Sequence, residues 1–150
     1  MNLNIWHAFW ICLNIKNLKV MKIISTKTHG YLDYMMGILL IASPWIFGFA
    51  TGGAEQWVPI VLGASALVYS LMTNYELGAY RVLSMKTHLT IDMLSGALLA
   101  VSPWLFGFSD RVTTPHLILG LLEIGAALMT RTTPATATGF NKMGTHSHAV

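Results

Sequence analysis

Ser25–Phe49 reads STKTHGYLDYMMGILLIASPWIFGF, and Ser84–Phe108 reads SMKTHLTIDMLSGALLAVSPWLFGF. The two stretches align without a gap at an offset of 59 residues, and 14 of their 25 positions are identical. The serine, lysine, threonine and histidine of Ser25, Lys27, Thr28 and His29 recur as Ser84, Lys86, Thr87 and His88. Asp33 recurs as Asp92 and Gly37 as Gly96. Ser43-Pro44-Trp45-x-Phe47-Gly48-Phe49 recurs as Ser102-Pro103-Trp104-x-Phe106-Gly107-Phe108. Further on, with the second copy two residues shorter, Leu62-Gly63 matches Leu119-Gly120 and Leu71-Met72-Thr73 matches Leu128-Met129-Thr130. This is an internal duplication.

Each copy holds two apolar segments. They run from about Tyr31 to Phe49 and Trp57 to Tyr75 in the first, and Leu89 to Phe108 and His116 to Thr130 in the second. The first three have the roughly 20 residues that cross a hydrocarbon core of about 30 Å. The fourth is short. Of 150 residues, 54% are hydrophobic and 10% charged, against a charged share of about 25% in soluble domains. Ile60 to Met72 and Leu94 to Val101 are apolar nearly all round, where a soluble bundle would show polar faces. The expected fold is an all-α membrane protein: four transmembrane helices as two tandem helical hairpins. An even number of spans per copy makes both copies enter from the same side. The hairpins are then expected to be related by a pseudo-twofold axis along the membrane normal.

Charge sets the orientation. Lys16, Lys19, Lys22 and Lys27 precede the first span, Arg81 and Lys86 lie between the second and third, and Arg131 and Lys142 follow the fourth. The other side has Arg111, offset by Asp110 and Glu55. The positive-inside rule places both termini in the cytoplasm, in a bacterial plasma membrane. Trp45, Phe47, Phe49, Trp57, Trp104, Phe106 and Phe108 are expected to form an aromatic belt on the far side. The formal charge of +3 is scattered, without the basic and aromatic interleaving of a nucleic-acid platform, so no nucleic-acid partner is expected. The lone Cys12 excludes an intramolecular disulfide.

The doubled Ser-Pro-Trp motif at matched depth resembles the SPW repeat family of small bacterial membrane proteins, over about residues 22 to 132. The resemblance implies an integral membrane protein of two-helix units and implies no activity. It divides the chain into repeat 1 (residues 22–76) and repeat 2 (residues 81–131). Residues 1–21 form an N-terminal extension, read as an interfacial helix or as the product of an upstream start with Met21 the alternative first residue. Residues 132–150 read as a disordered tail, whose His146-x-His148 is solvated rather than a metal site.

His29, Asp33, Gly37, Leu40 and Pro44 step by four, four, three and four along one face of the first helix, and His88, Asp92, Gly96, Leu99 and Pro103 repeat that face in the third. These faces are expected to meet, with Gly37 and Gly96 at the crossing. Pro44 and Pro103 each release a carbonyl four residues back, at Leu40 and Leu99. Ser43 and Ser102 are placed to satisfy those carbonyls. Thr28 is the expected cap of the first helix. Each His/Asp pair reads first as a local anchor at the helix start. If the faces meet, His29, Asp33, His88 and Asp92 form one cluster able to hold a divalent metal or pass protons. Haem ligation by the two histidines would leave the aspartates unexplained. Glu123, a carboxyl within the fourth span, breaks the repeat, since Ala66 is its counterpart.

Neither a phosphate loop nor a nucleophile with a base is evident, so the chain is not expected to be an enzyme, and no cofactor is expected. The expected role is a scaffold or subunit in the lipid bilayer, binding another membrane protein or a second copy of itself. The alternative is a proton or ion conduit, or a metal-binding membrane protein.

Overall fold

In the computed structural model, residues 22–133 are described. The N-terminal extension, Cys12 and the tail beyond residue 133, with His146 and His148, lie outside the described residues. Four helices follow in order: α1 (Thr26–Ile46), α2 (Ala54–Met72), α3 (Met85–Leu105) and α4 (Thr114–Met129).

Two helices begin in the same way. The Ser25 side chain accepts from the Thr28 N–H at 3.1 Å, and Ser84 from Thr87 N–H at 3.2 Å. The cap is therefore Ser25, not Thr28. Serine at this position satisfies an N–H that has no partner one turn back.

The Ser-Pro-Trp segment decides how α1 and α3 end. Both helices run through their proline. Ser43 Oγ donates to the Leu40 carbonyl at 2.8 Å, and Ser102 Oγ to the Leu99 carbonyl at 2.7 Å, replacing the bond that proline cannot make. Gly48 and Gly107 then take φ of +73° and +70°, a left-handed conformation that glycine adopts without penalty. The reversal lets Phe49 and Phe108 donate back to the carbonyls of Pro44 and Pro103, both at 2.8 Å. It also turns the two rings inward, so Phe49 and Phe108 are buried and do not belong to the expected belt. Trp45, Phe47, Trp57, Trp104 and Phe106 stay exposed. Replacing Ser43 or Ser102 with alanine leaves a buried carbonyl unpaired, with an expected cost of about 1–3 kcal/mol each. Thermal unfolding followed by circular dichroism checks this, and an unchanged midpoint would contradict the assignment.

Packing is densest within each hairpin, α1 on α2 and α3 on α4. The glycines lie there. A Cβ on Gly63 would come 2.6 Å from the Gly37 carbonyl oxygen, and one on Gly120 would come 2.4 Å from that of Gly96. The expected crossing of the first and third helices at Gly37 and Gly96 is thus corrected: each glycine meets the partner helix of its own hairpin. Steps of four residues overshoot a turn by about 40°, so Gly37 points roughly 80° away from His29, whereas Leu40 swings back. His29 and Leu40 can face the other hairpin while Gly37 faces α2. Leu40 and Leu99 accordingly share a buried cluster with Leu119.

The hairpins also exchange ends. Ile24, ahead of α1, bridges Thr130 after α4, and Leu83, ahead of α3, bridges Thr73 after α2. The four expected spans are present as four helices. Among the described residues, however, no helix is long and apolar enough to cross a membrane. At 16 residues, α4 is about 24 Å long. The histidine, aspartate and serine of α1 and α3 lower their apolar content.

Candidate functional site: a buried histidine–aspartate centre

The four residues singled out on α1 and α3 come together. His29 Nε2 lies 3.2 Å from Asp33 Oδ1 and 3.0 Å from Asp92 Oδ2. His88 Nε2 lies 2.9 Å from Asp33 Oδ2 and 3.2 Å from Asp92 Oδ2. Each imidazole therefore touches the carboxylate of its own helix and that of the other. The pairs are not separate local anchors. The two rings meet edge to face, with centroids 5.4 Å apart. Both histidines and Asp92 are buried, and Asp33 is nearly so. One ligand atom from each residue can be chosen so that all four lie within 4.8 Å of one another, a spacing compatible with a metal ion.

The outer nitrogens are also held. His29 Nδ1 is 3.0 Å from Thr130 Oγ1, which donates its proton to the Ala126 carbonyl at 2.6 Å. His88 Nδ1 is 2.8 Å from Thr73 Oγ1, which donates to the Tyr69 carbonyl at 2.7 Å. A hydroxyl has one proton. With it committed to the carbonyl, each threonine can only accept from the ring, so Nδ1 carries the hydrogen. Sequence reasoning aligned Thr73 with Thr130 but gave them no role; their recurrence was the signal.

The centre is not evenly surrounded. Tyr69 of α2 donates to Asp92 Oδ1 at 2.7 Å, but its counterpart in the second repeat is Ala126, and the hydroxyl that reaches Asp33 is Ser70, at the longer distance of 3.5 Å. The small Ala126 helps leave a cavity of about 600 Å³ walled by α1 and α4, into which His29, Asp33, Asp92, Tyr69 and Glu123 project. Glu123 is buried beside it. Its Oε1 accepts from Ser95 at 3.2 Å, and its Oε2 has no hydrogen-bond partner among the described residues. The one carboxyl that breaks the repeat thus lines the same space as the paired ones.

At the opposite end, His116 sits between the rings of Phe49 and Phe108, at centroid distances of 5.1 and 5.0 Å, and donates from Nε2 to the Glu55 carbonyl at 2.9 Å. Arg111 pairs with the buried Glu55 carboxylate at 2.8 Å, and Thr51 donates to the same oxygen. The histidine is aligned with Pro59 in the first repeat, so no recurrence marked it.

The SPW repeat domain model matches residues 27–130. The chain belongs to the SPW repeat family. No curated protein and no solved structure matches it. Both Ser-Pro-Trp motifs of this SPW repeat protein lie at the helix ends remote from the histidine–aspartate centre, where they terminate α1 and α3 and leave Trp45 and Trp104 on the surface.

Proposed function

We propose that this SPW repeat protein is a non-enzymatic integral membrane protein. Its two hairpins, fastened by the histidine–aspartate centre, form a compact scaffold for a membrane partner or a second copy. One observation carries the membrane reading. Beyond the first turns of the helices the exposed side chains are mostly apolar, with Met35, Ile38, Val61, Val68, Leu94, Val101, Ile118 and Leu121 each about half exposed or more, while Asp92, Glu123, His29 and His88 are buried. Polarity faces in and hydrocarbon faces out. Helix-averaged apolarity counts inward polar groups that lipid never meets, whereas the outer wall is what a bilayer solvates.

The ends of the bundle agree with this reading. Lys22, Lys27, Arg81, Lys86 and Arg131 are exposed at the end bearing the histidine–aspartate centre. Trp45, Trp57 and Trp104 are exposed toward the other, which carries Arg111 and Asp110. Tryptophan favours the headgroup level, and basic residues favour the cytoplasmic side. The reciprocal bridges and crossed His–Asp contacts support an axis along the membrane normal relating the hairpins.

Cysteine labelling tests the arrangement. In a chain with Cys12 replaced by alanine, Asp110→Cys should react with a membrane-impermeant maleimide in intact cells, and Tyr80→Cys should react only after the membrane is opened. Release of the protein from membranes by alkaline carbonate would overturn the integral reading. Labelling at 80 but not 110 in intact cells would reverse the topology.

A further inference from the structure

The threonine contacts constrain the centre more than its inward distances do. Because Nδ1 of each ring must donate, a neutral His29 or His88 presents the lone pair of Nε2 inward, toward two carboxylate oxygens. Lone pairs facing lone pairs in a buried site need positive charge between them, which either protons on the Nε2 atoms or one metal ion supplies. Nε2 directed at the centre with Nδ1–H fixed on an oxygen is also how protein imidazoles present themselves to metals.

We infer that His29 Nε2, His88 Nε2, Asp33 and Asp92 form a binding site for a divalent transition metal of the zinc class. Two neutral imidazoles and two carboxylates carry a charge of minus two, which one such ion cancels. The ligand types suit zinc, cobalt or nickel better than the all-oxygen preference of magnesium or calcium. A tetrahedral ion with ligand bonds of about 2.0–2.1 Å separates neighbouring donors by about 3.3 Å. Each imidazole Nε2 already lies 2.9 to 3.2 Å from an oxygen of both carboxylates, with His29 and His88 using different oxygens of Asp33. One ligand atom from each residue falls within 4.8 Å of the others, so the side chains have to close on the ion by rotamer adjustment. Approach is available from the cavity between α1 and α4, since His29, Asp33 and Asp92 all line it. Glu123 lines the same cavity, which places a third carboxyl beside that path. Metal capture at these atoms requires only the packing of the four helices, whether or not they lie in a bilayer.

The test uses the full chain purified in mild detergent without a histidine tag, with His7, Cys12, His146 and His148 replaced by alanine so that the histidines and the thiol outside the described helices do not contribute. Titration with Co²⁺ should give one ion per chain and the intense visible absorption of tetrahedral coordination. Zn²⁺ should displace it, and Mg²⁺ or Ca²⁺ in large excess should not. Asp33→Asn, at the more accessible carboxylate, should abolish the signal while retaining helix content. Thr130→Val, which releases Nδ1 of His29 without touching a ligand atom, should weaken binding by about 10- to 100-fold. If Asp33→Asn fails to fold, Thr130→Val decides. Absence of stoichiometric Co²⁺ or Zn²⁺ binding by the folded chain would overturn the site. So would unchanged affinity in a folded Asp33→Asn chain or in Thr130→Val.

Discussion

Asp92→Ala is expected to cost the bundle about 3–5 kcal/mol, and Asp33→Ala measurably less. Removing a buried carboxylate leaves the polar groups that contact it short of a partner, which is the costly half of such an interaction. Asp92 is the more deeply held of the two. Its Oδ2 lies 3.0 Å from His29 and 3.2 Å from His88, and its Oδ1 accepts from Tyr69 at 2.7 Å. Losing it takes a partner from His29 on α1, His88 on α3 and Tyr69 on α2, and leaves both histidines with the Asp33 carboxylate alone. Asp33 is touched by the same two histidines but lacks a tyrosine, and its side chain is 10% exposed against 3% for Asp92. Water entering by the cavity can take over part of its role. Thermal or denaturant unfolding of the two variants in one detergent gives the comparison. Equal losses, or a larger one for Asp33→Ala, would mean that the tyrosine and the cavity do not make the repeats unequal.

A second large effect is expected at the hairpin crossings. Leucine at both Gly63 and Gly120 should prevent either hairpin from closing. The first carbon of each new side chain would already lie within 2.6 and 2.4 Å of a backbone carbonyl oxygen on the facing helix. A clash with backbone cannot be relieved by a rotamer change. Overpacking costs about 1–3 kcal/mol in cores that can adjust, and more where helices must separate. Gly125→Leu is the control, because a Cβ there meets nothing within 4 Å. The double variant should lose its cooperative transition, and Gly125→Leu should keep it. A normal transition in the double variant would place the helix contacts elsewhere.

The sequence by itself determined the parts that depend on neighbours along the chain. The matched runs mark four helices in two copies. The proline four residues after Leu40 or Leu99 names the carbonyl left open, and the serine beside it names the donor that fills it. The two His/Asp pairs were visible because both copies keep them, and with them the prospect of a shared polar centre. Other features were decided only by tertiary structure. Gly37 shares a four-residue stripe with His29, but the helix turn carries it round toward α2, and the short connection of residues 47–53 brings α2 there to meet it. Thr73 and Thr130 fix the histidine hydrogens only because the hairpins exchange ends, a contact between residues about a hundred positions apart for His29 and Thr130. The inequality of the repeats was written as Tyr69 against Ala126 and Glu123 against Ala66, yet a lone substitution carries no sign of what it faces. Packing turned the first into a cap on Asp92 and the second into a carboxyl beside a cavity, because the space one large side chain fills in one repeat stays open where its counterpart is small.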